Sequence, residues 1–154
     1  NLLLIIFIFL FCSYFFIFSL YFHLKILLYL ILLTCVASDI GGFAIGKIVK
    51  GPKLTKISPN KTISGSLGSF IFSVLLFSLS IHYITGGFNI KIILVGILTS
   101  LGCQVGDLCF SFIKRKSSLK DTGNFLPGHG GVLDRIDGVL FGLPIGFLIL
   151  VLIY

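Results

Sequence analysis

The sequence predicts an all-α membrane protein, a polytopic helical bundle with about five transmembrane helices in this chain. Hydrophobic residues fill 56% of the 154 positions and charged residues only 11%, a balance that soluble domains do not show. The mean hydropathy is +1.15, and long apolar runs alternate with short polar segments. We therefore treat residues 1–154 as a single polytopic membrane domain, and we expect further spans to precede residue 1 in the complete protein.

Each apolar run is long enough, or nearly so, to cross a hydrocarbon core of about 30 Å as a helix. Polar residues interrupt three of the runs: Asp39 lies in the second, His82 in the third, and Gln104 and Asp107 in the fourth. Pro144 lies in the last run and is expected to kink it. The predicted spans are, in chain order, residues 2–22, 26–45, 66–85, 92–113 and 139–154.

Glycines recur at four-residue spacing in these runs, which allows two helices to approach closely inside a membrane. We interpret them as packing positions and not as functional ones. The sets are Gly42 and Gly46; Gly102 and Gly106; and Gly138, Gly142 and Gly146.

Two polar segments, about 47–65 and about 114–133, lie between spans. The residues around each carry five Lys or Arg, whereas the other two turns carry one each. The positive-inside rule places both segments on the cytoplasmic side of the membrane. The net charge of +7 thus indicates anionic membrane lipids as partners, and we expect no nucleic-acid partner.

The stretch 111–138, SFIKRKSSLKDTGNFLPGHGGVLDRIDG, holds three of the five acidic residues and five of the twelve Lys and Arg. Carboxylates beside clustered cations and glycine-rich backbone are typical of sites that bind a metal together with phosphate.

Four aspartates are expected to reach a similar depth in the membrane. Asp39 and Asp107 lie about 12 Å and about 10 Å of helix from the basic ends of their spans. Asp134 and Asp137 precede the last span, and their i,i+3 spacing puts both on one face if the segment is helical. A carboxylate inside a membrane indicates function by default, and Mg²⁺ is the cation that a few carboxylates and substrate phosphates can share. The alternative is that each Asp forms a structural salt bridge with a nearby Lys or Arg.

The same stretch resembles the signature of the phosphatidate cytidylyltransferase (CDP-diacylglycerol synthase) family: S-x-x-K-R, four residues, K-D-x-G, a proline, H-G-G, two residues, D-R-x-D. The positions in register are Ser111, Lys114, Arg115, Lys120, Asp121, Gly123, Pro127, His129, Gly130, Gly131, Asp134, Arg135 and Asp137.

The first polar segment resembles the same family, which carries an aspartate–glycine pair and then K-L-x-x-I-S-P-x-K-T-x-x-G. Ile40 and Ser64 depart from the pattern, standing where a small polar and an acidic residue are usual, and Gly68–Ser69 replaces a glycine pair. The matching positions are Asp39, Gly41, Lys53, Leu54, Ile57, Ser58, Pro59, Lys61, Thr62 and Gly65.

The resemblance implies transfer of a cytidylyl group from CTP to phosphatidate, with Mg²⁺ as cofactor. A second metal ion and a homodimer stay open. For His129 a catalytic role and a structural role in its turn are equally supported. The implied metal ligands are Asp39, Asp107, Asp134 and Asp137; the implied catalytic residues are Asp134, Asp137, Lys120, Arg135 and His129; and the implied substrate contacts are Lys53, Ser58, Lys61, Ser111, Lys114, Arg115, Gly130 and Gly131.

Two alternative functions share parts of this pattern. A transferase that acts on another membrane lipid, such as a polyprenol, would have the same metal site and a different acyl groove. A cation-coupled transporter would need polar residues across the whole depth of the membrane, and the third and fifth spans offer few of them.

Overall fold

The computed structural model describes residues 8, 11–13, 15–17, 19–55, 58, 61–117, 131 and 133–153, and the side chains of all of these except residues 22, 23 and 135. Four long helices account for most of them, and no β-strand occurs in these ranges. The helices are α1 (Phe22–Val49), α2 (Ile63–Thr85), α3 (Ile90–Lys116) and α4 (Leu133–Ile153).

All four helices are long and apolar enough to cross a membrane, so the predicted all-α membrane bundle is confirmed. They correspond to the second to fifth predicted spans. About half of the first predicted span, 2–22, lies outside the described residues, and within the described part residues 11–13 and 15–17 are helical.

The helices extend past the predicted spans into the polar segments. Helix α4 begins at Leu133, six residues before the predicted start of its span, so Asp134 and Asp137 lie on a helix. Helix α2 begins after Thr62, whose side chain accepts a hydrogen bond from the N–H of Gly65 at 3.1 Å and so caps the helix. Hydropathy finds the part of a helix that lies in lipid, whereas caps determine where the helix itself begins.

Successive helices run antiparallel, so the end of α1, the start of α2, the end of α3 and the start of α4 meet at one end of the bundle, which we call the basic end. Glycines allow the close contacts there. A Cβ atom on Gly46 would lie 2.9 Å from the Thr62 hydroxyl, and one on Gly106 would lie 2.9 Å from the carbonyl oxygen of Asp137. These distances leave no room for a side chain, as the glycine spacing predicted.

The segment between α1 and α2 folds back on itself at the basic end. The N–H of Leu54 donates to the carbonyl of Lys61 at 2.8 Å, and Lys53 and Thr62 form an isolated antiparallel bridge. This backbone pairing carries Lys61 toward the end of α3.

The apolar core fills the opposite half of the bundle. Its residues come from the first half of α1, the second half of α2, the first half of α3 and the second half of α4. All four aspartates of the helices lie in the basic half, whereas buried hydroxyls such as those of Thr34 and Thr99 also occur in the apolar half. The buried core cluster comprises Leu30, Ile31, Cys35, Phe77, Ile81, Ile92, Val95, Cys103, Leu143 and Phe147, with Leu30 and Ile81 at its edge.

Candidate functional site

A cavity of about 690 Å³ opens at the basic end of the bundle. All four helices and the segment between α1 and α2 contribute to its wall. Its lining mixes carboxylates, ammonium groups and hydroxyls with glycine backbone. This is the composition expected of a site for a charged, phosphate-bearing ligand and not for a purely apolar one.

Four aspartates line this one cavity: Asp39 from α1, Asp107 from α3, and Asp134 and Asp137 from the start of α4. The side chains of Asp137 and Asp107 are close enough to interact directly, and the charges of Asp107 and Asp39 also interact. The helical start of α4 puts its two aspartates on one face. The structure thus brings together the four carboxylates whose convergence the sequence predicted.

Lys114 bridges the two aspartates of α4. Its Nζ atom lies 2.8 Å from Oδ1 of Asp134 and 3.5 Å from Oδ2 of Asp137. The three side chains are only 14%, 11% and 14% exposed, so this is a largely buried cluster that ties the end of α3 to the start of α4. The N–H of Gly131, a predicted substrate contact, donates to Asp134 Oδ2 at 2.9 Å.

Lys61 forms an ion pair with Asp107 and thereby links the folded-back segment to α3. This pair is more open than the Lys114 cluster, with side-chain exposures of 30% and 21%. Three of the four aspartates therefore have a lysine partner, which is the arrangement of the structural alternative. Lys61 and its partner nevertheless face the cavity, as do both aspartates that Lys114 contacts.

The structure describes some of the remaining predicted site residues and not others. Ser111 lines the cavity, whereas Lys53, Ser58 and Arg115 are described and do not line it. Arg135 lies on α4, but its side chain is outside the described part of the chain. Lys120, His129 and Gly130 also lie outside the described residues, so their predicted roles stay predictions.

Gln104 also lines the cavity, and no role was predicted for it from the sequence. Its Nε2 donates to the carbonyl oxygen of Ser66 on α2 at 3.3 Å, and its Oε1 accepts from the Ser66 hydroxyl. Nε2 also lies 3.4 Å from Ser100 Oγ, which forms a 2.7 Å hydrogen bond with Ser38 on α1. Gln104 precedes Asp107 by three residues, and this spacing on one helix face was the signal that could have identified it.

The charged side chains of this cavity that could bind a metal ion are carboxylates, and their oxygen atoms suit Mg²⁺ better than a soft metal. Among the described residues no three His, Cys, Asp or Glu side chains are arranged as a ready-made metal cage. Magnesium does not need one, because it commonly uses one or two carboxylates together with waters and substrate phosphates. The ammonium of Lys114, shared by two carboxylates, shows that a cation fits between them.

Comparisons with known proteins extend this description. The sequence profile of a family described as the cytidylyltransferase family matches residues 1–153. A protein named phosphatidate cytidylyltransferase from Helicobacter pylori strain J99 is 45% identical over 113 residues, which cover 73% of this chain and 42% of that protein. A protein of the same name from Mycobacterium leprae is 36% identical over 124 residues, covering 80% and 40%.

A third relative with that name, from Staphylococcus haemolyticus, is 41% identical over 110 residues, covering 70% of this chain and 42% of that protein. The chain thus spans about two fifths of the length of the curated relatives it matches. A solved intramembrane enzyme of archaeal membrane lipid biosynthesis superposes with a TM-score of 0.57 at 19% identity, over 77% of this chain and 75% of that one. This likeness supports the fold.

Proposed function

The chain belongs to the cytidylyltransferase family, and from that premise we propose that it carries the active site of a phosphatidate cytidylyltransferase. The enzyme would transfer the cytidylyl group of CTP to phosphatidate and release CDP-diacylglycerol and pyrophosphate. The observation that carries the proposal is the cavity in which four aspartates and Lys61 meet at the basic end of the bundle.

The position of this cavity suits one soluble and one lipid substrate. The folded-back segment borders it on one side, and the apolar core lies below it. A nucleotide can enter from the aqueous side, while a phospholipid can keep its acyl chains in the bilayer. Because most basic residues lie at this end, we propose that it faces the cytoplasm of a bacterial inner membrane.

The reaction needs alignment and charge neutralisation, not a covalent enzyme intermediate. A phosphate oxygen of phosphatidate forms a bond with the α-phosphorus of CTP. The bond between that phosphorus and the oxygen that leads to the β-phosphate breaks, and its electron pair leaves with pyrophosphate. The protein must hold two anionic groups close together against their repulsion, which is the task of its cations.

Named side chains meet these requirements. Asp39, Asp107, Asp134 and Asp137 would hold Mg²⁺, which when bound neutralises charge on the triphosphate. Lys61 reaches the cavity from outside the helices and can contact phosphate oxygens.

Lys114, held between the two aspartates of α4, keeps their carboxylates in place. We further propose that Lys120, Arg135 and His129 act on the phosphates from the start of α4 and the loop before it.

The alternatives receive less support. A transporter needs a polar path through the membrane, but the half of the bundle away from the cavity holds the packed apolar cluster around Phe77 and Phe147. A polyprenol-type substrate would fit the same polar groups. The names of the matched relatives favour phosphatidate.

The proposal is tested with the protein reconstituted in phospholipid vesicles that contain phosphatidate. Radiolabelled CTP should yield a labelled, organic-soluble CDP-lipid and an equimolar amount of pyrophosphate, both dependent on Mg²⁺. Matched vesicles with a polyprenyl phosphate in place of phosphatidate should give no such product. Label transfer to the polyprenyl lipid alone, or to neither lipid, would contradict the assignment.

A further inference from the structure

The two lysines that pair with the site aspartates differ in solvent exposure and in surroundings. Lys114 lies on a helix, is largely buried and contacts two carboxylates. Lys61 lies outside the helices, is about twice as exposed and contacts one carboxylate among the residues that the structure describes. A buried, doubly paired ammonium is costly to move, whereas a partly exposed one on a long flexible side chain can change partners.

We propose that Lys61 is an exchangeable counter-ion that moves from Asp107 to a substrate phosphate when Mg²⁺ binds the carboxylate. This inference rests on the proposed function and concerns how the metal ion and the substrate bind at that site. A magnesium ion on Asp107 would repel an ammonium that contacts the same carboxylate. Lys114 is held against such repulsion by two carboxylates, whereas Lys61 contacts only Asp107 among the described residues, so the metal ion competes with Lys61 for Asp107.

The phosphate gives the released ammonium a new partner. Without it, metal binding would leave Lys61 beside a doubly charged cation in a partly desolvated cavity, which is unfavourable. With it, the metal ion goes to the carboxylates and the ammonium goes to a phosphate oxygen. The single Lys61–Asp107 ion pair is thus replaced by two contacts between opposite charges.

The backbone around Lys61 allows this exchange without unfolding the segment. The carbonyl of Lys61 accepts from Leu54 at 2.8 Å, and its N–H donates to Ser58 at 3.1 Å. The next residue, Thr62, caps α2. The Cα position is therefore held, and the change of partner needs only side-chain rotation.

The exchange makes metal and phosphate binding mutually dependent. Each should increase the affinity of the other by the same factor, because coupling between two binding equilibria is reciprocal. A factor of about tenfold is within the usual range for coupled sites. Neither metal nor phosphate alone should bind tightly.

The test measures Mn²⁺ binding, as a spectroscopic substitute for Mg²⁺, to the intact protein in nanodiscs. The phosphate ligand is an α,β-methylene analogue of CTP, which binds but cannot transfer its nucleotidyl group. In wild type the analogue should lower the Mn²⁺ Kd about tenfold. In Lys61→Gln, Mn²⁺ alone should bind about tenfold more tightly than to wild type, and the coupling should fall to less than about twofold.

Lys50→Gln is the matched control, because Lys50 is an exposed lysine of the same segment that does not line the cavity. It should retain the wild-type Mn²⁺ Kd and coupling. If Lys61→Gln bound Mn²⁺ no more tightly than wild type, the exchange would be disproved. If Lys61→Gln and Lys50→Gln changed the Mn²⁺ Kd equally, the change would come from the loss of one positive charge near the site and not from an exchange of partners, which would also disprove the proposal.

Wild-type protein gives a second readout that does not depend on a variant. Mn²⁺ alone should increase the acylation rate of Lys61 by an amine-directed reagent, as measured by mass spectrometry, and the CTP analogue should reverse the increase. Lys50 serves as the internal reference. A Lys61 rate that Mn²⁺ leaves unchanged would also overturn the proposal.

The phosphate that receives Lys61 can come from the nucleotide or from the lipid. Nanodiscs with and without phosphatidate, each titrated with and without the CTP analogue, identify the source. Inorganic tripolyphosphate separates this proposal from the enzyme assignment. If tripolyphosphate and Mn²⁺ bind cooperatively but the protein makes no CDP-lipid, the Lys61 exchange is supported and the proposed enzyme activity is wrong. If the protein makes CDP-lipid but shows no such cooperativity, the activity is supported and the exchange is wrong.

Discussion

The Nζ atom of Lys114 on α3 lies 2.8 Å from the Oδ1 atom of Asp134 on α4, and both side chains are largely buried. Sequence alone suggests that Lys114 contacts substrate. The structure places it as a brace between two helices, where it neutralises two carboxylates at once. A substitution of Lys114 should therefore change stability as well as any activity that depends on this site.

Lys114→Met should lower the free energy of unfolding by about 3–5 kcal/mol, because it leaves two buried carboxylates without their cation. Thermal unfolding in detergent measures the change. Lys116→Met removes an exposed charge from the same helix end and should alter stability by less than about 0.5 kcal/mol. Equal effects of the two substitutions would mean that the buried cluster contributes nothing specific.

Asp137→Asn should reduce turnover about a hundredfold, since about 3 kcal/mol of lost charge interaction corresponds to that factor in rate. The half-saturating Mg²⁺ concentration should rise in parallel. Asp121→Asn makes the same chemical change in the segment before α4 and should have a smaller effect. If Asp137→Asn lowered only thermal stability, the aspartate would be a structural partner of Lys114 and not a metal ligand.

Gln104→Met should reduce turnover more than stability. Methionine keeps the length of the side chain but cannot form the bonds to Ser66 that join α3 to α2 beside the aspartates. Hydrogen bonds between membrane helices contribute only about 0.6 kcal/mol on average, so unfolding should change little. Gln104→Glu, which keeps the accepting oxygen, should restore part of the geometry while weakening CTP binding by charge. Full activity of Gln104→Met would show that the amide positions nothing.

Sequence and structure agree where one physical property decides the outcome. Hydropathy predicts where helices cross lipid, and depth from the basic ends predicts that Asp39 and Asp107 converge with the aspartates of α4. Hydropathy could not predict that α4 begins at Leu133, because that start lies in polar sequence outside the apolar run. Nor could spacing predict which lysine pairs with which aspartate. That choice depends on how α3 crosses α4 and on the path of the segment between α1 and α2.

Membrane topology should follow the shared basic end of the bundle. In a background without native cysteines, cysteines at Ser58 and Ser117 should react with an impermeant maleimide added to the same side of the membrane. A cysteine at Asn89, in the turn between α2 and α3, should react only from the other side. Reaction of positions 58 and 117 from opposite sides would contradict the antiparallel order of the helices.

Gly106→Ala tests whether close packing of α3 against α4 sets the geometry of the aspartates. Alanine favours a helix over glycine by about 1 kcal/mol, so propensity alone predicts stabilisation. Packing opposes it, because the new Cβ would lie 2.9 Å from both the Asp137 carbonyl oxygen and the Phe141 Cβ, neither of which can rotate away. The helices must separate, and Asp107 moves with them, so turnover and thermal stability should both fall. Gly87→Ala, whose Cβ would meet nothing nearer than the Thr85 hydroxyl at 3.8 Å, is the matched control and should leave both near wild type. A stabilised, fully active Gly106→Ala protein would show that the helices tolerate separation and that this contact does not position the site.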